Sequence, residues 1–146
     1  MEKIGIIGAG ASGIVAAIFA KSNNNEVIIF ERNNVCGKKV LATGNGRCNY
    51  FNSDNNLIHY ESSNSDLISE IINEQTEKEV LNFFDKLGII PQIKNGCYYP
   101  FSNQASTIRN VLLNEVKRKK ITIYNDFLVT DIKKENDKFI VISEDK

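Results

Sequence analysis

The stretch Gly-Ala-Gly-Ala-Ser-Gly at residues 8–13 decides the fold, because its glycines have the spacing Gly-x-Gly-x-x-Gly. Residues 3–7, Lys-Ile-Gly-Ile-Ile, precede it and predict a short, buried, parallel strand. Residues 14–21 follow it and are apolar on nearly every side, which predicts a helix pressed against a sheet. Residues 26–31, Glu-Val-Ile-Ile-Phe-Glu, predict a second buried strand. The chain therefore opens with a predicted strand–helix–strand unit of a parallel sheet.

Each glycine of this stretch has its own role in a turn that binds a dinucleotide. Gly8 permits the tight turn, Gly10 lets the backbone approach a pyrophosphate, and Gly13 lets the helix pack close to the strand. The unpaired amides at the helix start, at Ala11 and Ser12, would hold the anion together with the positive end of the helix dipole.

Glu31 adds a second element of a dinucleotide site. It ends the second predicted strand, where a carboxylate can accept hydrogen bonds from both ribose hydroxyls of an adenosine. Its charge would repel a 2′-phosphate, so FAD or NAD is favoured over NADP. Arg32 lies either along the adenosine or at the exposed surface. The alternative interpretation is a glycine-rich turn that only packs helix against sheet.

Residues 33–53 form a basic, glycine-bearing loop without an acidic side chain. Lys38, Lys39 and Arg47 would attract a pyrophosphate or the negative edge of a reduced flavin. A plain NAD-binding fold would be expected to continue here into another helix and strand, so the loop favours FAD. A solvated basic loop is the alternative.

The remaining sequence alternates between helical and strand patterns. Thr76 to Glu79 resembles a capping box and Gly88 a helix end, while Pro100 predicts an edge strand or a strand end. The predicted helices are 67–72, 80–87 and 105–116, and the predicted strands are 97–100, 121–124, 127–133 and 139–143.

Composition narrows the functional classes. The 146 residues contain 18 basic and 18 acidic side chains, and this balance argues against a general nucleic-acid binder, although it does not exclude nucleic acid for a longer enzyme. No apolar stretch approaches the roughly 18 residues that a membrane span needs. The first residues do not resemble a secretory signal. We expect a cytoplasmic protein without a membrane partner.

The cysteines and the one histidine indicate no metal site. Cys36, Cys48 and Cys97 fit neither a disulfide framework nor a Cys-x-x-Cys pair, and His59 is the only histidine. Cys48 lies beside Arg47, which could acidify a thiol that works with a flavin, but a packed structural cysteine is favoured. Catalytic residues stay unassigned.

Residues 37–49, Gly-Lys-Lys-Val-Leu-Ala-Thr-Gly-Asn-Gly-Arg-Cys-Asn, resemble a signature of the BaiN-like, or aminoacetone oxidase-type, family of NAD(P)/FAD-dependent oxidoreductases. The resemblance continues through residues 86–89 and 96–102 to the end of the chain. It implies an α/β, Rossmann-like FAD-binding domain with a parallel sheet and an additional β-strand segment near the C-terminus. Residues 1–146 would be the N-terminal part of this domain, which we expect to be incomplete, and residues 54–102 a helical and edge-strand excursion.

The resemblance also implies roles for individual residues. It assigns the adenosine diphosphate to Gly8, Gly10, Ser12, Gly13 and Glu31, the adenine to the backbone of Val129, and the segment that runs toward the flavin to Thr43, Gly44, Gly46, Arg47, Cys48 and Asn49. Two positions depart from the family pattern: Cys97 stands where relatives commonly have an arginine, and Phe51 where a threonine is common.

The implied activity is that of a flavin-dependent oxidoreductase. FAD would carry hydride or electrons to or from a small or base-like substrate, with NAD(P)H as a candidate donor in the full-length enzyme. Family activities include amine oxidation and reduction of activated carbon–carbon double bonds, among them RNA bases, and the residues do not choose between them. The alternatives are an NAD-binding dehydrogenase domain and a nucleotide-binding module without turnover.

Overall fold

A computed structural model describes residues 1–54, 56–73 and 75–144. The chain divides into two compact units: Met1–Leu41 with the chain from Arg109 onward, and Ala42–Ile108. In chain order the helices and strands are β1 (Glu2–Ile7), α1 (Ala11–Ala20), β2 (Asn25–Phe30), α2 (Lys38–Ala42), β3 (Phe51–Asn52), α3 (Ser65–Ile71), α4 (Thr76–Lys86), β4 (Pro91–Lys94), β5 (Cys97–Pro100), α5 (Ala105–Arg118), β6 (Thr122–Tyr124), β7 (Val129–Glu135) and β8 (Lys138–Ser143).

The first unit contains a three-stranded parallel sheet with the order β1-β2-β6. Ile7 pairs with Phe30, and Phe30 pairs with Tyr124, so all three strands end at the same edge. Residues that follow these strands are thereby brought together. The predicted strand–helix–strand opening and the α/β fold class are confirmed.

Helix α1 and strand β2 supply much of the core of this unit. The helix buries Ile14, Ala17 and Ile18, while Val27 and Ile29 of β2 are buried on the alternate positions of the strand. Helix α1 starts at Ala11, earlier than the apolar pattern predicted, because its first turn consists of Ala, Ser and Gly. These small residues give no apolar periodicity.

Strands β7 and β8 confirm the additional β-strand segment predicted near the C-terminus, and the structure pairs them as an antiparallel hairpin. Glu135 pairs with Lys138, and the two residues between them, Asn136 and Asp137, both have positive φ values of 47° and 61°. Such a two-residue turn matches the right-handed twist of the strands it connects.

The second unit contains an antiparallel sheet with the order β3-β5-β4. Strand β5 is therefore central, so that of the two positions predicted for Pro100, an edge strand or a strand end, the strand end is confirmed. Pro100 is the last residue of β5 and pairs with Pro91. A proline at this end removes no ladder hydrogen bond from the strand interior, which is why a central strand tolerates it.

Helix α4 packs on this sheet through Phe84, whose ring centroid lies 4.6 Å from that of Tyr50. The predicted capping box is wrong, because the helix begins at Thr76 and the Thr76 hydroxyl donates to the carbonyl of Ile71. The predicted helix end at Gly88 is confirmed by its φ of 80° and by the hydrogen bond from its amide to Asp85.

Residues 33–53 contain more regular structure than the predicted loop. They include α2, a short 3-10 helix at Thr43–Gly46 and strand β3. Elements of two to five residues are too short to show a hydrophobic period, which explains the difference.

Two kinds of feature are absent from the part of the chain that the structure describes. No helix there combines the length and apolar character that crossing a membrane requires. Within the same residues, no group of three or more His, Cys, Asp or Glu side chains could hold a metal ion. Cys36 and Cys48 are buried free thiols, and Cys97 is a partly exposed one.

Candidate functional site: a pocket at the strand ends

A pocket of about 490 Å³ opens in the first unit where strands β1 and β2 end. Its wall comes from the glycine-rich turn, the end of β2, the basic segment before and within α2, and the start of β7. The lining residues are Ile7, Gly8, Ala9, Gly10, Ser12, Phe30, Glu31, Arg32, Asn33, Val35, Lys38, Lys39, Phe127, Leu128 and Val129.

The glycine-rich turn joins β1 to α1, and its backbone packs closely against the start of the helix. Gly8 has a φ of 94°, and its amide donates to the carbonyl of Phe30 at 2.8 Å. A Cβ on Gly13 would lie 2.0 Å from the carbonyl oxygen of Gly8, whereas a Cβ on Gly10 would meet nothing within 4 Å. Gly13 is therefore needed for packing, while Gly10 keeps the pocket open.

The N-terminus of α1 faces this pocket through Gly10 and Ser12. Gly10 is the N-cap residue of the helix and has no side chain that could bond to the first amides. Its carbonyl accepts the amide of Ile14 at 3.0 Å. The amides of residues 11–13 precede that first helical hydrogen bond, so they are free of intrahelical partners. With the helix dipole, they form a site suited to an anion.

Glu31 is the buried carboxylate of the pocket, with 6% of its surface exposed. Its Oε2 accepts the amide of Ala9 at 2.6 Å, and its Oε1 accepts both the backbone amide and the side-chain amide of Asn33, at 2.8 and 2.5 Å. Its own amide donates to Tyr124, and its carbonyl accepts from Phe127. Hydrogen bonds to both carboxylate oxygens and to the Glu31 backbone thus fix the position of the carboxylate.

These contacts set the ionisation of Glu31. Burial is the largest single influence and raises its pKa, but the backbone amides of Asn33 and Ala9, the Asn33 side chain and the charge of Arg32 together outweigh it. The net result is a pKa below the ordinary value, so the carboxylate is charged at neutral pH.

Three cations balance this one acid among the lining residues: Arg32, Lys38 and Lys39. The lysines come from the basic segment that was expected to attract a pyrophosphate. A pocket with one fixed carboxylate, several cations and a helix N-terminus can bind a ligand that carries both hydroxyls and phosphates.

The segment that leads into β7, together with the first residue of that strand, contributes an apolar wall next to Glu31. Phe127, Leu128 and Val129 line the pocket, and the Phe127 ring centroid lies 4.9 Å from that of Phe30. Flat apolar surface beside a hydrogen-bonding carboxylate suits a nucleoside, whose base is planar and whose sugar is polar.

The structure brings together seven of the fifteen residues that the sequence proposed for the cofactor: Gly8, Gly10, Ser12, Glu31, Arg32, Lys39 and Val129. Ala11 and Gly13 belong to the first turn of α1, next to the lining residues. The other six, Thr43, Gly44, Gly46, Arg47, Cys48 and Asn49, lie in the second unit. Their predicted role near a flavin stays a prediction.

The segment 43–49 of the second unit has an unusual backbone. Gly44, Asn45, Gly46 and Cys48 all have positive φ values, between 54° and 80°. A Cβ on Gly44 would lie 2.7 Å from the amide nitrogen of Asn49, so this position requires glycine. The Arg47 guanidinium stacks over the Tyr99 ring, 5.1 Å from its centroid.

Cys48 is buried and has a φ of 60°. Burial raises the pKa of its thiol, and the hydrogen bond with the Thr43 side chain opposes this only in part. A protonated, buried thiol is a poor nucleophile. This favours the packed structural cysteine over the flavin-assisting thiol.

Comparison with known proteins identifies the family. The HI0933-like protein Rossmann domain family matches residues 2–146. The chain belongs to this family. The membership agrees with the resemblance found in residues 37–49 and with the parallel sheet and glycine-rich turn described above.

The HI0933-like chain is similar to longer curated proteins. It is 38% identical over 143 residues to the 3-dehydro-bile acid delta(4,6)-reductase of Clostridium scindens, an alignment that covers 97% of this chain and 35% of the relative. It is 30% identical over 84 residues to the ribosomal RNA dihydrouridine synthase of Haemophilus influenzae, covering 58% and 21%. The chain thus spans about a third or less of the length of these relatives.

A solved structure shares the fold of the HI0933-like chain. The 3-ketosteroid-delta4-(5alpha)-dehydrogenase of Rhodococcus jostii superposes with a TM-score of 0.63 at 12% identity, and the match covers 97% of this chain and 44% of that one. At this identity the likeness concerns the fold alone.

Sequence reasoning missed several pocket residues of this HI0933-like domain. Ala9 acts through its backbone amide, which no side-chain pattern reveals. Asn33 bonds Glu31 with its backbone and side chain at once, and its place two residues after the acidic strand end was the available signal. Phe127 and Leu128 directly precede the predicted Val129 and could have been found with it.

Proposed function

We propose that this chain is the FAD-binding part of a flavin-dependent oxidoreductase and that the pocket at the strand ends binds the adenosine diphosphate half of FAD. The observation that carries the proposal is the ionised Glu31 carboxylate beside the open N-terminus of α1. An acceptor for ribose hydroxyls and a donor set for phosphates lie on one pocket wall. Family membership supports a redox dinucleotide rather than a mononucleotide.

The residues present fit an adenosine diphosphate group. A Cβ at Gly10 would project into open space where a phosphate needs to approach the backbone. By the usual acceptor capacity of a carboxylate, Oε2 of Glu31 keeps room for one further donor beside the Ala9 amide, while Oε1 already accepts two. The fixed carboxylate thus suits one ribose hydroxyl directly, where the sequence suggested both.

Each part of the pocket would have one task in binding. The amides of residues 11–13 and the lysines Lys38 and Lys39 would hold the pyrophosphate, Glu31 would hold the ribose, and the start of β7 at Val129 would face the adenine. The bound flavin would supply hydride or electron transfer. These residues bind and orient, and none of them moves a proton in the reaction.

The activity of the whole protein is proposed from the curated relatives. Their names describe two reductions, one of a bile acid and one that forms dihydrouridine in ribosomal RNA. We infer that the whole protein reduces a carbon–carbon double bond, with NAD(P)H as the source of electrons. One experiment distinguishes the two substrate classes. The reduced protein is incubated without oxygen, once with an unsaturated ketosteroid and once with unmodified ribosomal RNA, and the reduced product is measured by mass spectrometry.

Cofactor binding is tested first. The purified protein is stripped of small molecules and titrated with FAD, FMN, NAD and NADP, following heat in a calorimeter and flavin absorbance near about 450 nm. FAD is expected to bind most tightly, and Glu31→Ala to weaken FAD about tenfold or more, since a lost factor of ten corresponds to about 1.4 kcal/mol.

Binding of NAD with no binding of FAD would replace the proposal by an NAD-dependent dehydrogenase. Binding of FAD that is unaffected by both Glu31→Ala and Gly10→Ala would place the cofactor elsewhere. Lys133→Ala is the matched control, because Lys133 is exposed on β7 and does not line the pocket.

A further inference from the structure

Asn33 is the residue that holds the pocket carboxylate in place. Both of its amides, from the backbone and the side chain, donate to the same oxygen, Oε1 of Glu31, at 2.8 and 2.5 Å. Its carbonyl in turn accepts the amide of Asp126 at 3.3 Å. Asn33 is half-buried and lines the pocket, so its position is tied to β2 on one side and to the chain before β7 on the other.

This arrangement makes the two carboxylate oxygens unequal. Oε1 accepts two hydrogen bonds, which fills its ordinary capacity, whereas Oε2 accepts only the Ala9 amide among the described residues. Rotation of the carboxylate would break three hydrogen bonds at once. Oε2 is therefore the atom left to meet a ligand, and its direction is set by Asn33.

We propose that Asn33 is a positioning and specificity-determining residue, which aims Oε2 of Glu31 at a ribose hydroxyl and selects adenosine dinucleotides whose ribose carries no 2′-phosphate. This rests on the proposed binding of adenosine diphosphate in the same pocket. Asn33 acts through Glu31 and needs no contact with the ligand.

The charge of Glu31 is part of this selection. The other charged or titratable groups around it are Arg32, Lys38 and Lys39 in the pocket, Cys36, and Asp126 in the adjoining loop. The pKa of the Cys36 thiol is raised, first by burial and then by the charge of Glu31. The three cations would attract any phosphate. An ionised carboxylate at the ribose opposes them at short range, because like charges repel most strongly when buried.

Removing the Asn33 side chain should leave this carboxylate less firmly held and should raise its pKa. The hydrogen bonds from Asn33 help to keep the pKa of Glu31 low against the opposing effect of burial. Without the side-chain bond the pKa rises, so protonation begins at a higher pH. As the carboxylate is protonated, the ribose loses a charged acceptor, and the repulsion of a 2′-phosphate weakens with the charge.

The experiment compares Asn33→Leu with Asn34→Leu, a matched change at the next, exposed asparagine. Dissociation constants for ADP-ribose and for 2′-phospho-ADP-ribose are measured by calorimetry on the full chain from pH 7 to pH 5. The wild type and Asn34→Leu should prefer ADP-ribose about tenfold or more at pH 7, and titration of the 2′-phosphate itself at about pH 6 should change the preference of every variant alike. Asn33→Leu should bind ADP-ribose more weakly, and its preference should decline more steeply toward pH 5 than that of the wild type.

Equal preference and equal pH profile in Asn33→Leu and the wild type would overturn the role of Asn33 while leaving the proposed function intact. Failure of the wild type to bind ADP-ribose and FAD would overturn both. If circular dichroism shows that Asn33→Leu is unfolded, Asn33→Ala, which removes the side-chain donor without adding a charge, carries the test. The pKa of Glu31, followed by carbon NMR of its carboxyl group, must then be higher than in the wild type, and an unchanged value contradicts the proposal.

Discussion

Two glycines of the same turn, Gly10 and Gly13, serve different purposes at the residue scale. Gly13 stands where α1 touches the carbonyl of Gly8, and Gly10 stands where the wall of the pocket is open. The motif Gly-x-Gly-x-x-Gly therefore combines a packing requirement with a binding requirement. Substitution of Gly13 should therefore change stability, and substitution of Gly10 should change ligand binding.

Gly13→Ala should destabilise the protein by about 1–3 kcal/mol, because the new methyl group would clash with backbone that has little room to move. Gly10→Ala should change stability by less than about 0.5 kcal/mol and weaken ADP-ribose binding about tenfold. Urea denaturation and calorimetry measure the two quantities. An unstable Gly10→Ala with unchanged binding would contradict the assignment of roles.

Glu31 also links stability to pH. Its pKa is lower in the folded protein than the ordinary value of 4.5, so its charged form stabilises the fold at every pH well above 4.5. As the pH falls from about 5 through the lowered folded pKa, this contribution is lost. Replacement by glutamine removes this pH dependence.

The difference in unfolding free energy between wild type and Glu31→Gln should therefore be constant from pH 7 to about pH 5.5 and shift in favour of the variant below that. Denaturant titrations at a series of pH values provide the measurement. A difference that stays constant down to pH 3 would show that Glu31 titrates alike in both states. Glu2→Gln, which changes an exposed strand residue, is the control.

The same residues show what sequence can predict about the site. Gly8, Gly10 and Glu31 were found because their chemistry follows from side-chain type and spacing. Ala9 and Asn33 were not, since one acts through a backbone amide and the other through a hydrogen bond that depends on how β2 ends. Contacts of this kind appear only when the chain is folded.

At the scale of elements, strands with strong patterns were predictable and short elements were not. The runs at β1 and β2 are continuous and apolar, and their strands end within a residue of the predicted bounds. Helix α2 has only five residues, and β3 has two. Strand β5 is central because β3 and β4 pair with it from both sides, a non-local arrangement that its own proline could not reveal.

Helix α4 is anchored in the second unit by an aromatic contact of Phe84 and by a hydrogen bond from the Tyr98 hydroxyl to Glu77. Phe84 is buried against Tyr50, so Phe84→Ala should cost about 3–5 kcal/mol of unfolding free energy. Asn82→Ala, at an exposed position of the same helix, should cost less than about 0.5 kcal/mol. Thermal and urea denaturation followed by circular dichroism compare them, and equal effects would mean that Phe84 does not anchor the helix.

At the scale of the whole molecule, a net charge of zero hides an uneven distribution. The 18 basic and 18 acidic side chains balance overall, yet the pocket has three cations and one carboxylate among its lining residues. Local charge, and not the net value, attracts a phosphate ligand. Composition alone therefore gave little guidance about the ligand.

The affinity for ADP-ribose should accordingly fall about threefold to tenfold when sodium chloride is raised from about 50 to about 500 mM, because salt shortens the reach of these charges. The double variant Lys38→Gln, Lys39→Gln should show a weaker salt dependence, whereas Lys133→Gln should behave like the wild type. Calorimetry at several salt concentrations tests this. An unchanged salt dependence in the double variant would remove the lysines from phosphate binding.

The unequal exposure of the three cysteines gives the protein a natural attachment point for a chemical probe. Cys36 and Cys48 are buried and have raised thiol pKa values, caused first by burial, whereas Cys97 on β5 is partly exposed. A thiol-specific dye should therefore react quickly at Cys97 and slowly at the other two. Colorimetric titration should count one fast thiol in the native protein and three after denaturation, so a fluorescent reporter can be placed on the second unit without engineering.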